Sequence, residues 1–148
     1  MSLDYIVRQA SVSDAGPIAA LSAQLGYPNT TDNLQPRLTS LLSRDDNAIF
    51  IAETVASEVM AWIHVMPRLL LISDPIAEIG GLVVDENRRR CGVGSALIGV
   101  AERWAASKGY EAVIVRSNAV RSDAHSFYQA LDYENIRTQK VFTKPLTP

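Results

Sequence analysis

The sequence has one cysteine, Cys91, among its 148 residues. An intrachain disulfide and a cysteine metal cluster are thereby excluded, and such scarcity suits a reducing compartment. No apolar stretch approaches the ~18 residues that a bilayer-spanning helix needs. Residues 1–5 carry neither a basic flank nor an apolar core, so no secretory signal is expected. A surplus of one charge is missing too: 14 Lys and Arg against 16 Asp and Glu leave a net charge of −2, with a pI near 5.6. That balance speaks against general nucleic-acid binding. Internal repeats, low-complexity tracts and linkers are also lacking. The expectation is one cytoplasmic, metal-free domain covering residues 1–148, with 47% apolar residues to build a core.

Against this background one segment stands out: Arg88-Arg89-Arg90-Cys91-Gly92-Val93-Gly94-Ser95. It follows an apolar run, Ile79-Gly80-Gly81-Leu82-Val83-Val84, and opens an amphipathic stretch that ends at Lys108-Gly109. Glycines let the backbone approach an anion, helix-start N–H groups point outward, and arginines add fixed charge. The combination describes a pyrophosphate cradle, whereas Arg88 to Arg90 alone would read equally well as a solvated loop.

Two familiar phosphate loops fit poorly. Gly94 and Gly99 have P-loop spacing, but Val100-Ala101 stand where Lys-Ser/Thr is needed. A dinucleotide loop has a small third residue and an acid after the next strand. Here Leu97 occupies the third position and the next strand, Ala112 to Arg116, ends in a base.

The remaining elements follow from periodicity and punctuation. Tyr5 to Arg8 reads as a strand. Ser13-Asp14 precede a helix with Ile18, Leu21, Ser22 and Leu25 at helical spacing, stopped by Gly26-Tyr27-Pro28. Thr30 or Thr31 caps a second helix carrying Leu34, Leu38, Leu41 and Leu42, with Pro36 in its first turns. Ala48 to Glu53 and Val59 to Met66 are strands, Pro67 ending the latter. Leu69 to Ile72 reads as a buried strand end, an edge-strand extension or a partner-facing patch. Ile76 to Val84 is the next strand. The helix after Gly94 has a core stripe of Leu97, Val100, Ala101, Trp104 and Ala105. A short helix begins at Ser122 or Asp123, and strand-like stretches near Tyr133 to Arg137 and Lys140 to Thr143 close the chain.

The pattern [QR]-x-x-G-x-[GA], met by Arg89-Arg90-Cys91-Gly92-Val93-Gly94 between a strand and a helix, resembles the GNAT superfamily of N-acetyltransferases. A second block agrees: Ser117-Asn118, then Ala124-His125-Ser126-Phe127-Tyr128-Gln129-Ala130-Leu131-Asp132-Tyr133. The resemblance covers residues 76–134; before that only the element order is shared. It implies an α+β fold, an α/β/α sandwich of the acetyltransferase type. Its mixed, mostly antiparallel sheet would have six to seven strands, splayed between strands 4 and 5, with about four helices.

The resemblance also implies acetyl transfer from acetyl-CoA, as co-substrate, to a primary amine of a small molecule or protein. Leu82, Val83 and Val84 would bond the pantetheine arm through their backbone. Gly92, Val93, Gly94 and Ser95, with Cys91 in the same loop, would hold the pyrophosphate, and Arg89 and Arg90 would balance its charge. Asn118 and Phe127 would complete the cofactor side. Tyr128 would protonate the departing thiolate, a phenol of pKa ~10 facing a thiol of ~8.5; a purely structural tyrosine is the alternative.

Glu78 is the candidate base, with binding of a cationic substrate or a solvent-facing position as its other readings. Gly80-Gly81 suggest a bulge or a close ligand approach. His125 lies one turn before Tyr128, and His64, on an apolar strand, reads as a satisfied core histidine. Two positions depart from the family pattern: Cys91 stands where a small or basic residue is common, and Asp132 replaces the glycine of a helix stop. The 117–133 stretch is similar to that of aminoglycoside-type and other small-molecule acetyltransferases. A non-catalytic CoA-binding sensor or interaction module is the rival reading; a homodimer is left open, and no nucleic-acid or membrane partner is expected.

Overall fold

The computed structural model describes residues 4–89, 91–117 and 122–147, in two compact units that meet at Arg116 and Ser117. The first unit runs β1 (Tyr5–Gln9), α1 (Ala15–Gln24), α2 (Thr31–Leu42), β2 (Ala48–Thr54), β3 (Val59–Arg68), β4 (Ile76–Val84), α3 (Val93–Ser107) and β5 (Val113–Val115). The second holds α4 (Ser122–Ala130).

The helix boundaries have local causes. Thr30 caps α2 by accepting a 3.1 Å hydrogen bond from the Asn33 N–H. Before α1, Asp14 accepts from the Ser11 N–H at 2.8 Å and from both terminal nitrogens of Arg8 at 2.8 and 2.9 Å. Arg8 in turn reaches Glu53 on β2 through Nε at 2.5 Å. The hydrogen bonds from Arg8 hold the buried Asp14 carboxyl below its ordinary range. This ion pair fixes where α1 leaves the sheet.

The strands lie in the order β1-β2-β3-β4-β5. The first four are antiparallel, and β5 joins β4 in parallel. On one face Ile49 and Ile51 of β2 pack with Ala15 and Ile18 of α1 and Leu38 of α2, and Trp62 of β3 joins them. On the other lie the inward residues of α3, Leu97, Ile98, Ala101 and Ala105, all 2% exposed or less. Within the expected stripe, Val100 and Trp104 prove half-buried, and Ile98 takes a core place instead.

The sheet therefore has five strands, not six to seven. The described residues 133–147 form no helix or strand, and Ile136, Val141, Phe142 and Leu146 are exposed. Apolar residues alone do not make a strand; a ladder partner must satisfy the backbone. Nor does Pro67 end β3, which continues to Arg68. Beyond Val65 the recorded pairs of β3 are with β4 alone, so a residue without an N–H fits there as on an edge strand. Leu69, Leu71 and Ile72 lie in an exposed turn, which excludes the buried strand end and the edge-strand extension.

In the second unit α4 stops at Asp132 in the left-handed conformation, φ 68°. The Tyr133 N–H donates to the Tyr128 carbonyl and the Asp132 N–H to that of Gln129, at 3.0 and 3.1 Å. Gly109, φ 88°, stops α3 with the same pair of bonds, from Tyr110 to Ala105 and from Gly109 to Ala106. Aspartate thus adopts the shape that glycine adopts elsewhere in this chain.

Candidate functional site

The β4 strand has two unlike edges. Along β3 it is paired throughout, but the register slips between His64 and Val65: Gly81 faces His64 and Ile79 faces Val65. Gly80 is the extra residue of a β-bulge. Along β5 only Ala77, Glu78 and Ile79 are paired. From residue 80 to residue 84 that edge has no ladder partner among the described residues. An extended chain with free backbone groups is what a second extended, amide-bearing chain can bind.

The bulge needs both glycines. A Cβ on Gly81 would lie 2.6 Å from the Trp62 ring, and one on Gly80 would lie 3.3 Å from His64 Nδ1 and from the Met66 side chain. Trp62, His64 and Met66 alternate along β3 and share the α1–α2 face, while Ile63 and Val65 are fully buried on the other. The Trp62 indole N–H is buried with no partner among the described residues.

After β4 the chain turns through Asp85 and a single 3₁₀ turn, Glu86–Arg88. Gln24, at the end of α1, fastens this joint: its amide oxygen accepts from the Glu86 N–H at 2.9 Å. Arg88 is paired with Glu58, on the turn between β2 and β3, and its carbonyl accepts from the Cys91 thiol at 2.9 Å. Arg89 is exposed and, among the described residues, unpaired. Arg90 lies outside the described residues.

Gly92 then takes φ 83° and serves as N-cap of α3, with no side chain closing the cap. A left-handed cap without a side-chain acceptor leaves the first-turn N–H groups of Val93, Gly94 and Ser95 for an outside acceptor, at the positive end of a fifteen-residue helix.

Glu78 lies on β4 opposite Met66, hence on the α1–α2 face with His64. Its Oε1 accepts from Arg68 Nη1 at 3.0 Å, and Arg116 Nε stands 3.6 Å away. His64 Nε2 is 3.0 Å from Asn47 Oδ1. Burial pushes the His64 imidazole below its usual 6.5. Neither the arginines around Glu78 nor the contact of Asn47 with His64 was legible from spacing, since the partners come from different elements.

In the second unit Phe127 and Tyr128 are half-buried neighbours, ring centroids 5.1 Å apart, and Tyr128 meets Tyr133 edge-on at 5.9 Å. His125 is half-buried one turn earlier. Asn118 lies outside the described residues. Among the described residues no group of three or more His, Cys, Asp or Glu can hold a metal, and no helix is long and apolar enough to cross a membrane.

Among the described residues, then, a mixed five-stranded sheet has a strand edge unpaired over residues 80–84 that leads to a helix cap without a side-chain acceptor. The chain belongs to the Acetyltransferase (GNAT) family, whose sequence profile matches residues 18–133. That span crosses both units and reaches well ahead of the two motifs. The family's members are acyltransferases that use acetyl-CoA. No curated protein matches the sequence.

Several solved structures share the fold. Aminoglycoside 6'-N-acetyltransferase AAC(6')-Ih from Acinetobacter baumannii is 20% identical, with 97% of this chain and 100% of that one covered and a TM-score of 0.84. Aminoglycoside N-acetyltransferase AAC(6')-Iy, in complex with CoA, is 20% identical over 99% and 98% of the two chains, with a TM-score of 0.86. A transcriptional regulator from Bacillus halodurans is 18% identical over 95% and 100%, with a TM-score of 0.81. At these identities the likeness is one of fold, and the fold serves proteins described in quite different terms.

Proposed function

We propose that residues 1–148 act as one domain that moves an acetyl group from acetyl-CoA to a primary amine by direct attack on the thioester. The observation that carries this reading is the free edge of β4 over residues 80–84, leading to the uncapped N-terminus of α3 behind Gly92. The backbone of Leu82, Val83 and Val84 holds the pantetheine arm. The N–H groups of Gly92, Val93, Gly94 and Ser95, in the loop that Cys91 opens, hold the pyrophosphate, and Arg89 and Arg90 balance its charge. Asn118 and Phe127 complete the donor side. An oxyanion sits against a backbone N–H near Leu82 or Val83, where one such donor contributes ~3 kcal/mol.

Tyr128 is the proposed acid that returns a proton to the thiolate. Glu78 is engaged by Arg68, with Arg116 close by, so its proposed part is charge balance beside the reacting strand, and the proton acceptor is sought elsewhere. The AAC(6')-Iy structures include one with a CoA–acetylneamine bisubstrate analogue, which supports a polyamine-like small molecule as the first acceptor class to try. The protein is proposed to work in the cytoplasm, without nucleic acid or membrane, and a homodimer is the assembly to test by light scattering.

Calorimetry with acetyl-CoA, CoA, ATP and NAD is the first test. Binding of both CoA forms is expected; tight ATP or NAD binding without CoA binding would sink the reading. Free-thiol release across a panel of amines then tests turnover, and release by no amine would favour a sensor. Tyr128→Phe is expected to lower kcat about ten-fold or more with little change in acetyl-CoA affinity; an unchanged rate removes Tyr128 from its role.

A further inference from the structure

We propose that His64 is the proton acceptor of the acetyl transfer, with Nδ1 as the basic atom and Asn47 as the residue that positions it. The inference rests on the acetyltransferase reading above and supplies its missing base.

The tautomer follows from the hydrogen-bond chain. The Leu41 carbonyl can only accept, and the Asn47 amide nitrogen donates to it at 3.0 Å. The same nitrogen faces Asp46 Oδ1 at 3.3 Å, another acceptor. Both contacts fix the orientation of the Asn47 amide and turn its Oδ1 toward His64 Nε2, at 3.0 Å. An amide oxygen only accepts, so Nε2 must carry the hydrogen. In the neutral ring Nδ1 then holds the free lone pair.

The position of Nδ1 follows from the bulge. His64 faces Gly81 across the β3–β4 ladder, and a Cβ on Gly80 would approach Nδ1 to 3.3 Å. The lone pair thus meets β4 at Gly80, two residues before Leu82, whose N–H is one of the two proposed to hold the oxyanion. His64 also lines, with Asn47, Asp46, Arg44 and Met66, a cavity of about 170 Å³ on the α1–α2 side. An amine in that cavity would stand beside the ring.

The charged groups facing this imidazole are few. Arg44 and Asp46, across the cavity, are paired with each other at 2.5 Å. Glu78, on the same face of β4, is engaged by Arg68 and approached by Arg116. Burial disfavours the imidazolium, so the ring is neutral at pH 7, as a base must be.

A protonated amine gives one proton to Nδ1, and the ring becomes imidazolium. The freed lone pair forms the C–N bond at the thioester carbon. The C–S bond breaks, Tyr128 gives its phenolic proton to the thiolate, and the second proton lost from nitrogen restores the phenol. The products are the amide, CoA thiol and a proton that His64 releases to solvent.

Nitrogen-15 NMR of the imidazoles tests the assignment without any acceptor. The sequence has two histidines, and loss of one set of signals in His64→Gln identifies the other. The expected result is an Nε2–H tautomer for His64 that titrates below 6.5 and shifts on adding acetyl-CoA. An Nδ1–H tautomer, or a ring already protonated at pH 7, would overturn the proposal while leaving acetyl-CoA binding untouched.

With any amine that releases thiol, His64→Gln is expected to lower kcat about 100-fold, with acetyl-CoA affinity by calorimetry within about two-fold. An unchanged kcat overturns the base role. Asn47→Asp keeps an oxygen acceptor but adds negative charge, so the acid limb of kcat/KM should move to higher pH, a shift that packing damage alone does not give. If the wild type binds no acetyl-CoA or acetylates no amine, the parent reading fails and the base role with it, while the tautomer is still read separately.

Discussion

The proposed donor segment and the proposed acceptor face are built in opposite ways. The proposed donor segment, residues 80–95, relies on its backbone: the end of a bulged strand, a 3₁₀ turn, a left-handed glycine and a helix start, in chain order. The proposed acceptor face relies on side chains brought from the loop before β2, from β3, from β4 and from the end of β5: Asn47, His64 and Arg68, Glu78, and Arg116. A contiguous backbone device leaves a sequence pattern, because glycine and arginine positions are dictated at fixed offsets. A face assembled from separate elements leaves none. A donor site of the proposed kind is therefore legible as a motif, whereas such an acceptor face is legible only from packing.

That contrast can be broken at either side. The largest effect is expected at the acceptor face, where His64→Gln should cost kcat about 100-fold and leave donor binding alone. The same substitution should change the pH dependence of stability. His64 is held below its usual 6.5 in the folded protein, so below 6.5 the unfolded chain takes up a proton that the fold refuses. Stability is complete above that pH and declines as pH falls toward the folded value. Urea unfolding from pH 7.5 to 5 should show this decline in the wild type and a flatter line in His64→Gln. An identical slope in both would remove the burial argument.

On the donor side the cost should be conformational. A Cβ at Gly92 meets nothing within 4 Å, yet its φ is 83°. Gly92→Ala should therefore weaken acetyl-CoA binding about ten-fold by opposing the left-handed cap, at ~1–2 kcal/mol, and leave His64 signals unchanged. A full retention of affinity would mean that the cap does not shape the site. Arg89→Ala should weaken binding only about three-fold and reduce its salt dependence. Arg88→Ala, which frees Glu58 and loosens the loop, should act through stability instead.

Much of the first unit was legible in the sequence. Leucine spacing and Thr30 foretold α2, Gly109 the end of α3, and Gly80-Gly81 the bulge. The fifth strand was foretold too, but the strands after Tyr133 were not realised. Strand-like composition in residues 133–143 says what a strand could contain, not whether a ladder receives it. His64 is partly buried and hydrogen-bonded to Asn47, as a satisfied core histidine is, although its apolar neighbours Ile63 and Val65 point to the opposite face. The partner that defines it, Asn47, lies in the loop before β2. Glu78 was found as a carboxylate, but its arginines were not, because Arg68 and Arg116 reach it from two other segments.

The smallest expected effect concerns a departure from the family pattern. Asp132 already adopts the left-handed stop at φ 68°, so Asp132→Gly should raise stability by only ~0.5 kcal/mol, the strain relieved being partly offset by a freer unfolded chain. Thermal unfolding measures it. A large gain would mean that the helix stop is more strained than its two hydrogen bonds suggest.

Titration of acetyl-CoA into nitrogen-15-labelled protein tests the central claim most directly. The largest amide shifts are expected at residues 80–84 and at Gly92, Val93, Gly94 and Ser95, with a matching response at the His64 ring. Saturable binding that left those amides unmoved and shifted another region would contradict it.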